Sequence, residues 1–113
     1  MIIQFNSSQH IEGSVRLQDY FTGVMNEEFS RFSHKITRIE IHLSDENGDK
    51  PGPKDKKCLM EARIEGKSPT VVEVHGNSYE ECIKGAMAKL KTVLKNTFER
   101  LNDHSVKLPV IED

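Results

Sequence analysis

The chain has 113 residues, of which 35% are hydrophobic and 30% charged, and its formal net charge is -2. This length predicts a single domain with one modest core, and the composition is not polar enough to indicate disorder throughout. No apolar run approaches the roughly 20 residues that span a membrane, and the first residues lack the features of a signal peptide, so we expect a cytoplasmic protein. The acidic balance disfavours a general binder of polyanions, so any nucleic-acid site must be a local basic patch.

The first part of the chain predicts a strand, a helix and a second strand. Residues 1–6 carry apolar side chains on one face, which is typical of a strand. A helix of about five turns is predicted from Ser14, a suitable N-cap, to residues 33–34. Strict alternation over residues 36–43 then predicts a half-buried strand. The apolar stripe of the helix consists of Leu17, Tyr20, Phe21, Val24, Met25 and Phe32.

The second part of the chain predicts two more strands and a long helix. Residues 57–65 alternate between apolar and polar, residues 66–69 form a turn, and a further strand follows with Val72 and Val74 on one face. Ser78 and Glu81 have the spacing of a capping box, which predicts a helix from about Ser78 to Asn102. Residues 103–113 have no periodicity and are predicted to form a flexible tail.

This order predicts an α+β fold, β-α-β-β-β-α. The first two strands should be parallel, because a right-handed crossover through the first helix joins them, and the later strands should form an antiparallel meander. The strands alternate on one face only, so both helices should pack on that same face of a four-stranded mixed sheet. We expect one domain over residues 1–102.

The stretch SDENGDKPGPKDKK, residues 44–57, is the one long polar connection. Its DENGD segment has partial similarity to a calcium-binding loop. However, placing Gly48 at the sixth position of such a loop puts Leu43 at the first ligand position and Lys54 at the twelfth. Neither side chain can bind calcium, so a solvated hairpin loop is the favoured interpretation, and no metal or other cofactor is expected.

The histidines and cysteines do not form a recognisable catalytic or metal-binding motif in the sequence. Cys58 and Cys82 fall on apolar faces and are predicted to be buried free thiols. His42 and His75 lie on the polar face of the strands, where with a nearby Glu they could bind a metal or share a proton. The favoured interpretation is a wet sheet face on which acids pair with Arg63 across strands. We therefore predict no enzyme and no small-molecule substrate.

Basic residues on the two helices are the main functional candidates. Lys84, Lys91 and Lys95 fall within about 40° of one another on a helical wheel. The opposite flank of the apolar stripe carries Lys89 and Arg100, and the first helix contributes Arg16, Arg31 and Lys35. Taken alone, these charges could be a solvated helix face, since both helices also carry acids. Two helices side by side could instead combine their bases into a ridge that binds phosphates.

Three segments carry a family resemblance: ITRIEIHLSDENGDK, KKCLMEARIEG and VEVHGNSYEECIKGAMAKLKTVL. They resemble the ribosome hibernation-promoting factor family, which includes ribosome-associated inhibitor A and protein Y and is also described as ribosomal subunit interface or sigma-factor modulation proteins. The resemblance spans roughly residues 1–101. Its most specific part is Tyr79 followed by Ile83, Gly85, Lys89 and Leu90. Where family members carry further basic residues, this helix has Thr92, Asn96 and Glu99, so we expect either weaker ribosome association or a different target.

The resemblance implies both a fold and a function. Family members have a four-stranded sheet with two helices on one side, and they bind the decoding channel of the small ribosomal subunit, thereby silencing ribosomes under stress. For this chain it implies a translation regulator that binds ribosomal RNA, with Lys89 at a family basic position. The alternative hypothesis is a protein-interaction or regulatory module of the same fold with little RNA affinity, in keeping with the acidic balance.

Overall fold

Four strands and two helices make up the part of the chain that the computed structural model describes, namely residues 1–7, 14–45 and 56–111, with side chains in the last helix described to residue 100. A short 3-10 helix, Ser30–Phe32, follows the first α-helix. In chain order the elements are β1 (Ile2–Ser7), α1 (Ser14–Glu28), the 3-10 helix, β2 (Ile36–Asp45), β3 (Lys56–Ile64), β4 (Thr70–Gly76) and α2 (Tyr79–Ile111).

The strands form one sheet in the order β1-β2-β3-β4. β1 is parallel to β2, with Ile3 opposite Ile39 and Phe5 opposite Ile41. The other two pairings are antiparallel. These pairings confirm the predicted α+β topology of a parallel first pair followed by a meander.

The core lies between one face of this sheet and both helices. Alternation along the strands directs Ile39, Ile41 and Met60 to that face, where all three are fully buried. The helices contribute Phe21, Met25, Phe29, Ile83, Ala86, Leu90 and Leu94 to the same cluster. Fully burying a large apolar side chain stabilises a fold by roughly 1.5–3 kcal/mol, so this layer explains why both helices lie on one side.

The first helix is shorter than predicted because its last turn tightens. After Glu28 the backbone bonds change from i→i+4 to i→i+3, as in the Phe32 N–H donating to the Phe29 carbonyl at 3.0 Å. This change brings both Phe29 and Phe32 into the core. Tyr20, predicted on the apolar stripe, is instead 59% exposed.

The second helix begins with the predicted capping box. The Ser78 hydroxyl accepts a hydrogen bond from the Glu81 N–H at 3.1 Å, and the Glu81 carboxylate accepts one from the Asn77 N–H at 3.1 Å. At Gly85 an added Cβ would lie 3.1 Å from a Val74 methyl, so a residue without a side chain permits the close approach of α2 to β4. The backbone of α2 stays helical to Ile111, beyond the predicted end at Asn102. The flexibility of residues 103–113 stays a prediction.

The long polar connection joins two antiparallel strands, as predicted for a hairpin. Asp45 at the end of β2 pairs with Lys56 at the start of β3, and their side chains form an ion pair of 2.9 Å. Residues 46–55, which carry most of the calcium-like motif, lie outside the described residues. At the other hairpin, Gly66 has a φ of 74°, which favours glycine in the turn between β3 and β4.

Both cysteines are buried free thiols, as predicted. Burial raises the pKa of the Cys58 thiol to about 12, with a smaller contribution from Cys82. The Cys82 thiol donates to the Lys56 carbonyl at 3.3 Å. Since a thiolate is the reactive form, these residues serve the packing between β3 and α2.

Candidate nucleic-acid interface

Surface pockets between α1 and α2 pair the beginning of α1 with the beginning of α2, and the end of α1 with a later turn of α2. The two helices therefore run side by side in the same direction, with a groove between them. Arg16 and Glu80 line it at the beginning of both helices, and Glu28 faces Lys91 further along. Phe32 and Phe98 meet near its other end, with ring centroids 5.3 Å apart. The groove therefore joins residues of the two helices that are more than 60 positions apart in the sequence.

At the beginning and in the middle of the groove, acids neutralise the lysines. The Lys84 ammonium lies 3.0 Å from a Glu80 carboxylate oxygen, and the hydrogen bond and charge of Glu80 raise the pKa of Lys84. The Lys91 ammonium lies 2.9 Å from Glu28 on the neighbouring helix. Two of the three lysines that the helical wheel groups together are thus paired with carboxylates, which cancel much of their electric field.

The far end of the groove is different. There a surface pocket of about 210 Å³ lies between the 3-10 helix with the residues after it and the last described turns of α2. We call it the basic pocket. It is lined by Arg31, Phe32, His34, Lys35, Lys95, Phe98 and Glu99.

The described side chains of the basic pocket are mainly positive. They include three cations and one carboxylate, a formal sum of +2 with the histidine neutral. Among the described side chains, none of Arg31, Lys35 and Lys95 forms an ion pair. The Arg31 guanidinium instead lies 4.6 Å from the centre of the Phe32 ring. This cation-π contact leaves the guanidinium N–H groups available to donate hydrogen bonds to a ligand.

Local structure explains how the three basic side chains come together in the basic pocket. Phe32 is buried and anchors the 3-10 helix against α2, and the Lys35 N–H donates to the Phe32 carbonyl at 2.9 Å. These contacts hold Arg31 and Lys35 on either side of the anchor. Lys95 lies one turn before Phe98 on α2, so the contact of the two rings brings Lys95 to the same pocket.

The other predicted bases lie elsewhere. The Lys89 ammonium donates to the Glu73 carbonyl at 3.3 Å, at the outer edge of β4. Arg100 is exposed, and its spacing of eleven residues from Lys89 puts it on that same flank of α2. Arg16 lies beside Glu80 at the opposite end of the groove. The eight predicted residues are therefore divided among the groove, the basic pocket and the β4 flank.

Sequence reasoning missed part of the basic pocket. The sequence pattern places Phe32 on the apolar stripe of the first helix and His34 at the end of that helix, and it gives Glu99 only as a position where family members carry a basic residue. The one sequence signal that could have found the pocket is the pair of basic residues flanking Phe32, at positions 31 and 35.

The outer face of the sheet is a network centred on Glu40. Its carboxylate lies 3.2 Å from the Arg63 guanidinium and 3.5 Å from that of Arg38. This arrangement confirms the predicted cross-strand pairing of acids with Arg63. His42 also lies 3.5 Å from Glu40, and with Glu61 these groups are close enough to hold a cation. The two guanidiniums already compensate the Glu40 charge, which disfavours metal binding there.

The two histidines of the alternative metal hypothesis lie on β2 and β4, with β3 between them. His42 is in register with Leu59 and, through it, with Glu73, so His75 is offset by two further residues along β4. Two strand spacings and this offset put the two histidine backbones about 12 Å apart with parallel side chains, and the possible metal ligands near His42 are Glu40 and Glu61. The structure therefore contradicts a site built on His42 and His75 together.

Comparisons with known proteins agree with this architecture. A ribosomal subunit interface protein from Coxiella burnetii superposes with a TM-score of 0.64 at 16% identity, over 88% of this chain and 99% of that one. The N-terminal domain of Protein Y from Thermus thermophilus superposes with a TM-score of 0.59 at 17% identity, over 85% and 94%. At these identities the two structures support the fold. No curated protein sequence matches the chain.

Two further findings concern membrane spans and family membership. Over the residues that the structure describes, neither helix is long and apolar enough to cross a membrane. The family model described as Sigma 54 modulation protein / S30EA ribosomal protein matches residues 5–102. This match covers most of the sequence and confirms the resemblance to the hibernation-promoting factors: the chain belongs to the Sigma 54 modulation protein / S30EA ribosomal protein family.

Proposed function

We propose that this protein is a non-enzymatic, cytoplasmic, ribosome-associated RNA-binding protein. In this proposal it occupies the decoding channel of the small ribosomal subunit and inhibits translation, or stabilises idle ribosomes under stress. Family membership supports the ribosome as partner, and one structural neighbour is described as a ribosomal subunit interface protein. The decoding channel and the inhibition come from the family resemblance.

The basic pocket supplies the electrostatic attraction to RNA that the proposal requires. A molecule of net charge -2 is repelled by RNA at long range, so binding requires a local surface whose attraction exceeds that repulsion. Arg31, Lys35 and Lys95 supply this surface, because they converge without carboxylate partners among the described side chains. Contacts to phosphates release counterions, and the affinity should therefore fall as salt rises.

The other predicted basic residues contribute less to RNA binding in this proposal. Lys84 and Lys91 contribute little while Glu80 and Glu28 neutralise them. Arg16, Lys89 and Arg100 lie away from the basic pocket and would make peripheral phosphate contacts. Inhibition would be steric, since a protein held in a functional channel excludes the messenger and transfer RNA that use it.

Co-sedimentation with purified ribosomes tests the proposal. The variant Lys35→Gln with Lys95→Gln removes two charges from the basic pocket. The matched control Lys57→Gln with Lys67→Gln removes two charges from the outer sheet face and from a turn. A slope of about 0.7 per phosphate contact corresponds to about fivefold in affinity per contact at 0.1 M salt, so we expect about 25-fold weaker binding for the pocket variant.

The control variant should bind within about threefold of wild type. Equal binding of both double variants, or absence of wild-type protein from the ribosome pellet at low salt, would overturn the proposal. The alternative of a protein-interaction module predicts a different result: a discrete protein partner that stays bound at high salt and after nuclease treatment.

A further inference from the structure

The basic pocket combines chemical groups that phosphate binding alone does not require. Its cations line the same pocket as Phe98, whose half-buried ring packs against Phe32 with the ring centroids 5.3 Å apart. A phosphate on a nucleic-acid backbone would need the cations but not an aromatic surface. A purely apolar ligand would use the ring but would desolvate the cations without compensation. The combination fits a ligand with both a flat aromatic part and a negative group.

The size of the basic pocket limits the ligand. Its volume of about 210 Å³ is below the range of about 300–1,000 Å³ that is common for drug-sized ligands. It therefore suits one flat ring system with its phosphate rather than a larger molecule. Glu99 and His34 on the rim offer an acceptor and a ring nitrogen to the polar edge of such a ring.

We propose that the basic pocket binds a single unstacked nucleoside phosphate. The base lies against the exposed part of the Phe98 ring, and the phosphate lies among Arg31, Lys35 and Lys95. Stacking of a base on an aromatic side chain tolerates all four bases, because each has a π-face. The pocket therefore distinguishes unpaired from paired nucleotides without reading sequence.

Two sources share this chemistry, a nucleotide within a single-stranded RNA and a free nucleotide. In a duplex both faces of each base are stacked, so duplex RNA can offer the basic pocket only its phosphates. For an RNA source the inference rests on the proposed function, which it sharpens by assigning the site to an unpaired nucleotide. For a free nucleotide it stands independently of the ribosome.

Fluorescence anisotropy with the full chain tests the inference. The probes are a labelled single-stranded RNA hexamer and the same strand in a duplex, each titrated at two salt concentrations. Phe98→Leu keeps an apolar side chain against Phe32 but removes the ring, whereas Phe98→Tyr keeps the ring. We expect Phe98→Leu to bind the single strand about tenfold more weakly with an unchanged salt slope, and to bind the duplex as wild type does.

Two further variants distinguish the contribution of base stacking to RNA affinity from the contribution of charge. Phe98→Tyr should bind the single strand within about threefold of wild type, which excludes a general effect of altering position 98. Lys95→Gln should weaken single strand and duplex alike and reduce the salt slope by about 0.7. Unchanged single-strand binding by Phe98→Leu, or an equal loss on the duplex, would overturn the inference.

Competition with AMP distinguishes the two sources. Displacement of the hexamer by AMP from wild type but not from Phe98→Leu supports a site that accepts free nucleotides. Ring-dependent hexamer binding without displacement by AMP supports the RNA source. If neither probe binds in a ring-dependent way while wild-type protein still co-sediments with ribosomes, the inference fails and the proposed function remains.

Discussion

The two ends of the groove between α1 and α2 have similar numbers of basic residues but different electrostatics. At the end where the helices begin, Lys84 lies 3.0 Å from Glu80, and in the middle Lys91 lies 2.9 Å from Glu28. At the other end, Arg31, Lys35 and Lys95 share the basic pocket with one carboxylate among the side chains described up to residue 100, that of Glu99. The difference is one of pairing, since both ends contain the residue types that bind phosphates.

This comparison teaches that the position of the acids decides which lysines can attract RNA. An exposed ion pair contributes little to stability, but it removes a positive charge from the surface potential. A helical wheel groups Lys84, Lys91 and Lys95 as equals. The structure separates Lys95 from the other two, because only Lys95 lies among unpaired cations.

The difference between the two ends of the groove is tested most directly by replacing the two glutamates that pair with Lys84 and Lys91. We expect the variant Glu28→Gln with Glu80→Gln to bind single-stranded RNA more tightly than wild type. Two freed lysines could add two phosphate contacts, which corresponds to about 25-fold at 0.1 M salt and a salt slope steeper by about 1.4. Anisotropy titrations over a range of salt concentrations would measure both quantities.

The control for the expected gain in RNA affinity is the variant Glu65→Gln with Glu73→Gln. It removes the same charge from the turn after β3 and from the outer face of β4, both away from the groove. Its affinity should stay within about threefold of wild type. If the control gains as much as the groove variant, then net charge rather than local pairing controls binding, and the distinction between the two ends fails.

Much of the fold could be predicted from the sequence because its signals are local. Alternation over residues 36–43 and 57–65 identified strands whose inward residues are buried, and the Ser78 capping box located the start of α2. The end of α1 could not be predicted, because the tightening after Glu28 depends on Phe29 and Phe32 reaching a core formed mainly by distant strands.

The candidate site could be predicted only in part. Periodicity shows which side of α2 carries Lys84, Lys91 and Lys95, but it does not show what faces that side. Glu28 and Lys91 are 63 positions apart, so their ion pair depends on how the helices pack. The same holds for Lys35 and Lys95, which only the contact between Phe32 and Phe98 brings to one pocket.

A smaller effect is expected when both ion pairs are removed together. The variant Glu28→Gln, Glu80→Gln, Lys84→Gln and Lys91→Gln leaves the local charge unchanged and should bind RNA within about threefold of wild type, because each pair is already neutral. Its salt slope should change by less than about 0.5, compared with about 1.4 when Lys35 and Lys95 are replaced. A loss comparable to that of the Lys35 and Lys95 double variant, measured in one titration series, would show that the paired lysines also bind RNA.

The smallest expected effect is on stability, at the pair between Lys91 and Glu28. Their side chains are 41% and 46% exposed, so a double-mutant cycle with Lys91→Gln and Glu28→Gln should give a coupling energy of about 0.2–1 kcal/mol by urea unfolding. At 1 M salt the Debye length is about 3 Å, and the coupling should largely disappear. A coupling above about 1 kcal/mol that persists at 1 M salt would identify the pair as a structural link between the helices. A small, screened coupling together with a large gain in RNA affinity on releasing Lys91 would instead mean that Glu28 acts on the surface potential and hardly on the fold.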